Sequence, residues 1–305
     1  MVRFISRLVS ILFSIVFWMP AFADTMYVSE VADDTGTQIK LAQPAKRIVS
    51  LAPDITEILF AIGAGPHIVG VIKGSDSPVA ARNITKVGDY SGIDVEKIIE
   101  LHPDLIITWG LTFSRQLSIF KELHIPVYTT EPHQLEDIPK TMQSLGELTG
   151  LKSEANKVVN NFKKYLVQLR QRYQSEKPIK VFYQIGGYGL MTINKDSWIN
   201  QIITLCGGQN VFVNAKTIAP EVNWEAIVAA NPDVVIASSE ISTWKNAWQK
   251  WPEIAAVRQQ YLFTINPDLI ERAGPRILEG ATQMCEYLER GRGKTVLYPF
   301  RPQLN

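Results

Sequence analysis

The sequence predicts an α/β fold of two Rossmann-like lobes, each with a parallel sheet, joined by one long helix. Three observations carry that expectation. The unit at 94–108 returns at 223–237, and both copies open on an Asx residue suited to capping a helix (Asp94, Asn223) with Glu two residues on (Glu96, Glu225). Both continue with apolar residues at helical spacing, break at Pro-Asp (Pro103-Asp104, Pro232-Asp233) and end in an apolar β-run. The glutamates and the prolines are each 129 positions apart (96 to 225, 103 to 232), which puts the units at equivalent places in two similar lobes. Strands alternate with helices around each copy, the pattern of a parallel sheet covered on both faces. Between the halves, the run from Pro139 to 175 is interrupted only by Gly146 and Gly150, and 151–173 carries apolar residues at helical spacing.

In chain order, residues 1–23 combine a basic start (Arg3, Arg7), an apolar run at 8–19 and Ala21-Phe22-Ala23, the features of a cleaved export signal. The run is too short for a bilayer span, which needs about 20 residues. The expected division is a signal peptide at 1–23, an N-terminal lobe at 24–135, a linking helix at 136–177 and a C-terminal lobe at 178–305. In the first lobe a strand at 47–51 runs into a helix that Asp54 can cap and that ends at Gly63-Ala64-Gly65. A strand at 68–72, the first repeat unit, a helix at 114–123 and a strand at 125–129 follow. The second lobe repeats the plan with a strand at 179–184, a helix at 198–205, a strand at 211–213, the second repeat unit, a strand at 261–265 and a final helix at 275–290.

Composition narrows the function. With 46% apolar and 20% charged residues the chain buries substantial cores, and 31 Lys and Arg, less Arg3 and Arg7, stand against 30 acidic residues. A near-neutral protein is a poor nucleic-acid partner. The two cysteines, Cys206 and Cys285, both fall in the second lobe, and an even count in an exported chain favours one disulfide over two buried thiols. Gly186-Gly187-Tyr188-Gly189 lacks the lysine and hydroxyl of a phosphate loop, and no Gly-x-Ser-x-Gly elbow or nucleophile with a neighbouring base marks a catalytic site. The four histidines show no metal-ligand spacing, so no metal centre is expected; His133, after a strand end, is the one that could face a ligand. Trp244, Trp248 and Trp251 fall at helical spacing, which points to packing.

Ligands of parallel α/β sheets collect at the carboxyl ends of the strands. Those ends carry Pro53, residues 73–75, Trp109-Gly110 and 130–133 in the first lobe, and Gly186-Gly187-Tyr188, Ser238-Ser239 and 268–272 in the second. Trp109 stands where its strand leaves the sheet, which suits ligand contact.

Several stretches carry a resemblance. Arg47-Ile48-Val49-Ser50-Leu51-Ala52-Pro53-Asp54-Ile55-Thr56-Glu57, Val87-Gly88-Asp89-Tyr90, Leu101-His102-Pro103-Asp104-Leu105, Cys206-Gly207-Gly208-Gln209-Asn210 and Glu271-Arg272-Ala273-Gly274-Pro275-Arg276 resemble class III periplasmic binding proteins, the substrate-binding proteins with a helical backbone between lobes. That family delivers cobalamin, haem or iron-siderophores to ATP-driven importers, and the likeness, over most of 46–290, is greatest to its cobalamin-binding members. It implies a monomer of the periplasm, no enzyme, with a corrinoid as transported ligand rather than cofactor. It implies that Tyr90, Trp109, Asp268, Leu269, Ile270, Glu271 and Arg272 line the corrinoid site. Tyr188 joins them from the glycine loop; the alternative cargo is haem or an iron-siderophore, and Tyr188, Tyr90 and His133 are the residues through which haem would be held. Gly74 and Ala219 stand where cobalamin-binding members have aromatic residues. Glu96 and Glu225 match glutamates that dock onto a membrane permease dimer, while the simpler role for each is to complement the positive amino end of its helix. The pairing of Cys206 with Cys285 also matches the family.

Overall fold

A computed structural model describes residues 29–110, 112–173 and 176–295. The expected export signal and its cleavage point lie outside the described residues, as do the last ten residues of the C-terminal lobe.

Each lobe is built on a four-stranded, all-parallel sheet. In the first the spatial order is Ile68–Val71, Ile48–Ser50, Leu105–Trp109, Val127–Thr130. In the second it is Gly208–Asn210, Ile179–Ile185, Val234–Ser238, Leu262–Ile265. Numbered along the chain, both sheets read 2-1-3-4, so the repeat marks two copies of one topology. In each sheet the strand after the repeated helix sits inside, flanked on both edges, which is why Leu105, Ile106 and Ile107 and their counterparts Val234, Val235 and Ile236 are all fully buried.

The repeated unit folds alike in both lobes. Asp94 caps the helix Val95–Glu100 by accepting from the Lys97 N–H at 3.0 Å, and Asn223 caps Trp224–Ala230 by accepting from the Ala226 N–H at 2.9 Å. Each helix ends next to a residue in the left-handed region, His102 (φ 46°) and Asn231 (φ 47°). The Pro-Asp break then tethers the unit to the first strand of its lobe. Asp104 accepts from the Lys46 and Arg47 N–H groups at 2.7 and 3.0 Å, and Asp233 accepts from the Lys180 N–H at 2.9 Å. Arg47 and Lys180 return the contact by donating to carbonyls at the carboxyl ends of the same helices, where a cation is favoured.

Three apolar clusters hold the molecule together. One packs the outer face of the first sheet around Ile98, Ile106 and Phe120, and a second packs that of the second sheet around Phe182, Ile227 and Trp248. The third runs through both lobes along Phe162, Tyr165, Leu166, Leu169 and Tyr173 of the helix Lys152–Tyr173. Tyr165 Oη and Thr282 Oγ1, 2.7 Å apart, tie this helix to the last one, Ile277–Gly291. A linker packed along its length into a shared core resists large hinge motion. Trp244 and Trp248 are buried and Trp251 stacks on Trp224 at 5.1 Å, the packing role expected of them. The disulfide Cys206–Cys285 joins the end of helix Trp198–Leu205 to the last helix across a separation of 79 residues.

Three local readings are corrected. The segment 136–177 is two helices, Asp137–Thr149 and Lys152–Tyr173, because Gly150 adopts φ 72° and reverses the chain; Gly146 lets the second helix close on the first, where a Cβ would stand 2.3 Å from that of Ala155. Only the second helix is the link. Asp54 is no cap: the helix Pro53–Ala61 starts at Pro53 with Ala52 at its cap, and Asp54 is buried in its first turn. The second strand of the second lobe is Gly208–Asn210 rather than 211–213, since Asn210 Oδ1 accepts from the Phe212 N–H and turns the chain there. An antiparallel hairpin outside the elements expected from sequence, Ser29–Ala32 with Gln38–Leu41, precedes the first sheet strand and is fastened to the first lobe through Asp33 Oδ2 and the Thr129 N–H at 3.1 Å. Among the described residues no helix is long and apolar enough to cross a membrane.

Candidate functional site

The carboxyl ends of both sheets converge on one cleft of about 580 Å³, counting space open to solvent, lined by Leu51, Ala52, Pro53, Asp54, Tyr90, Trp109, Thr112, Trp198, Glu271, Arg272 and Ala273. Local structure explains each placement. Leu51 to Asp54 are the turn from the first strand into its helix. Tyr90 sits at the tip of the small hairpin between Gly88–Asp89 and Gly92–Ile93, and Trp109 is the last residue of its strand. Trp198 opens the helix capped by Ser197, and its Nε1 donates to the Ile270 carbonyl at 3.0 Å, which fixes the indole against the second lobe's wall. Glu271 to Ala273 follow the short helix Pro267–Ile270, capped by Asn266.

Two aromatic side chains of the first lobe stand open: Tyr90 is 66% exposed and Trp109 38%. Large rings left uncovered at the mouth of a cleft are a surface for a flat apolar ligand.

The polar groups form a seam between the lobes. Arg272 Nη1 donates to Glu57 Oε1 at 2.9 Å and to Asp76 Oδ1 at 3.4 Å, while Nη2 donates to the Gly74 carbonyl at 3.3 Å and pairs with Asp268. Arg276 Nη1 reaches the same Glu57 oxygen at 3.2 Å. Gly274 lies against this seam, where a Cβ would stand in ordinary contact with Glu57 Oε2 at 3.4 Å and the Asp54 carbonyl at 3.5 Å. Burial raises the Glu57 carboxyl against the pull of both arginines. Burial also raises Glu271, although Ser238 and Tyr183 donate to it. Asp54 is pushed from 3.8 to about 6 by burial, which outweighs the backbone N–H groups of Ile55 and Asp54 and the charge of Arg272.

Of the residues expected at the site, Tyr90, Trp109, Glu271 and Arg272 line the cleft together. Asp268 supports Arg272 from behind. Leu269 and Ile270 are buried in the apolar core, because the short helix turns its apolar residues inward. Tyr188 is 79% exposed on the glycine loop and is not among the lining residues, and His133 is exposed with Nε2 3.9 Å from Glu131 Oε1. Sequence reasoning missed Asp54, Glu57 and Trp198. The Ala52-Pro53-Asp54 turn at a strand end was the available signal for the first two; Trp198 gave none beyond its place at the start of a helix. Glu96 and Glu225 are both exposed in the first turns of the matching helices, away from the cleft lining. No group of three or more His, Cys, Asp or Glu among the described residues could hold a metal ion.

The comparisons with known proteins agree with this architecture. The vitamin B12-binding protein of Vibrio parahaemolyticus is 32% identical over 254 residues, covering 83% of this chain and 92% of that protein. The vitamin B12-binding protein of Yersinia pestis is 31% identical, covering 81% and 88%. Among solved structures, the periplasmic vitamin B12-binding protein BtuF of Vibrio cholerae superposes with a TM-score of 0.75 at 32% identity, over 82% of this chain and 99% of that one. The haem-binding protein BhuT, at 19% identity and a TM-score of 0.73, shares the fold. The model of the periplasmic binding protein family matches residues 48–269, and the chain belongs to that family.

Proposed function

We propose that this chain captures a corrinoid, cobalamin, in the inter-lobe cleft and delivers it to an ATP-driven importer of the inner membrane. The observation that carries the reading is the identity of about one third with vitamin B12-binding proteins along nearly their whole length. The cleft supports it physically. Tyr90, Trp109 and Trp198 offer ring faces for the broad apolar surface of a corrin, while Asp54, Glu271 and the backbone offer acceptors for the carboxamides of its rim. Cobalamin is cargo here, not cofactor, and the protein works as a monomer that binds without catalysing a reaction. Glu96 and Glu225, one exposed acidic residue per lobe, suit a two-fold-symmetric permease that presents one basic site to each lobe.

Titrating the purified protein with cyanocobalamin, hemin and a ferric siderophore, followed by absorbance and calorimetry, tests the reading. One-to-one binding of cyanocobalamin, weakened at least about tenfold by Trp109→Ala, is the expected result. Binding of hemin with none of cyanocobalamin would replace it.

A further inference from the structure

We infer that the cleft selects cargo by the chemistry of its polar rim, accepting one that donates hydrogen bonds and rejecting one edged with carboxylates, and that Asp54 is the discriminating residue. The inference rests on the corrinoid reading and narrows it.

Three observations lead there. Among the described residues that line the cleft Arg272 is the only cation, and both of its terminal nitrogens are already engaged, one with Glu57 and Asp76, the other with Asp268 and the Gly74 carbonyl. An anionic rim entering the cleft finds no free cationic partner there. The lining instead contains two carboxylates, Asp54 from the first lobe and Glu271 from the second. Glu57 stands one turn beyond Asp54, buried, with Oε2 lacking any partner among the described residues. Finally, Glu271 is already held by Ser238 and Tyr183, whereas Asp54, more than nine-tenths buried, has no side-chain donor on its carboxylate among the described residues and meets the backbone N–H groups of its own helix turn.

A carboxylate can accept about four hydrogen bonds, so Asp54 has acceptor capacity left for a ligand. A primary amide N–H satisfies it; a second carboxylate repels it, because the Asp54 carboxyl is buried and poorly screened. The same ring edged with amides or with acids should therefore be told apart at this position. Haem propionates and the anionic faces of ferric siderophores fall on the rejected side.

Dicyanocobinamide and dicyanocobyrinic acid both lack the lower nucleotide and differ in rim amides against rim acids. Calorimetry of the whole protein at pH 7.5 with each, and with cyanocobalamin as reference, reads the selectivity directly. The wild type is expected to prefer the amide ring by about 100-fold or more, and Asp54→Asn to narrow that gap at least about tenfold. The narrowing should come from both sides, with weaker amide and stronger acid binding. A ratio of two affinities is insensitive to a general loss of fold, and Asp54→Ala gives a second reading of it. Equal binding of the two rings to the wild type, or an Asp54→Asn variant that weakens both in parallel, overturns the inference and leaves the corrinoid reading standing. Failure of cyanocobalamin and both rings to bind overturns both.

Discussion

In the first lobe Asp104 accepts from two backbone N–H groups of the entering strand, Glu96 stands exposed at the start of the repeated helix, and the strand that follows ends in the open ring of Trp109. In the second lobe Asp233 accepts from one such group, Glu225 stands exposed at the same place, and the matching strand ends in Ser238, buried and bonded to Glu271. The tether and the outward glutamate are thus duplicated, whereas the residues facing the cleft are not. The first lobe supplies exposed aromatic rings and the buried acids Asp54 and Glu57; the second supplies Trp198 and the arginines that cross the seam. Duplication serves what must be alike in both lobes, a sheet and its tether, and divergence is what the proposed corrinoid, which has no two-fold symmetry, would require.

The largest expected effect tests the duplicated glutamates. Glu96→Lys with Glu225→Lys should abolish uptake in cells while leaving cyanocobalamin affinity and Tm nearly unchanged, because both residues lie on exposed helix starts away from the cleft lining. Either reversal alone should impair uptake, and a double variant that still supports it would reduce the pair to helix-end charges.

The disulfide is a difference between lobes, since only the second is crosslinked. Cys206→Ser with Cys285→Ser should lower unfolding stability by about 4 to 5 kcal/mol on the chain-entropy model, as measured by denaturant titration. The loss should appear first as increased hydrogen exchange in the second lobe. Uniform loosening of both lobes would show that the shared core couples them completely.

Asp54 gives the pH test. Its carboxyl titrates at about 6 in the folded protein against 3.8 ordinarily, with burial as the main cause. Below 3.8 the proton is bound in both states. As pH rises from there to about 6 the unfolded chain releases it while the folded chain retains it, so the folded state loses stability across that window. Asp54→Asn should therefore stabilise the unliganded protein at pH 7 by at most about 3 kcal/mol, a gain that vanishes as pH falls toward 3.8. A residue that costs stability and lines the cleft is what a binding site is expected to contain.

The smallest effect compares the two tethers. Asp104→Ala should cost about 2 kcal/mol and Asp233→Ala about 1, in proportion to the N–H groups each leaves without its acceptor. Equal losses would mean that the side chains matter chiefly by shaping the turn after each proline.

The same comparison separates what was legible in the sequence from what was not. Scaffold features rest on local chemistry, so Asp94 and Asn223 could be read as caps and the Pro-Asp breaks as strand entries without knowing any partner. Cleft features depend on the other lobe. Asp54 has the sequence of a helix cap, and its place in the cleft is seen only with Glu271 and Arg272, which join the same lining from more than two hundred residues away. Leu269 and Ile270 lie in the run that carries Arg272, yet one turn of helix sends them into the core while Glu271 and Arg272 line the cleft. Gly150 was visible, but two helices and one long helix give the same apolar spacing until the reversal is seen.

Hydrogen–deuterium exchange with and without cyanocobalamin tests most directly the claim that two like lobes enclose one ligand with unlike faces. Protection is expected at 51–54, 89–92 and 109–112 in the first lobe and at 268–273 and the start of helix Trp198–Leu205 in the second, with none added in the helices Val95–Glu100 and Trp224–Ala230. Protection confined to a single lobe, or centred on those two helices, would contradict it.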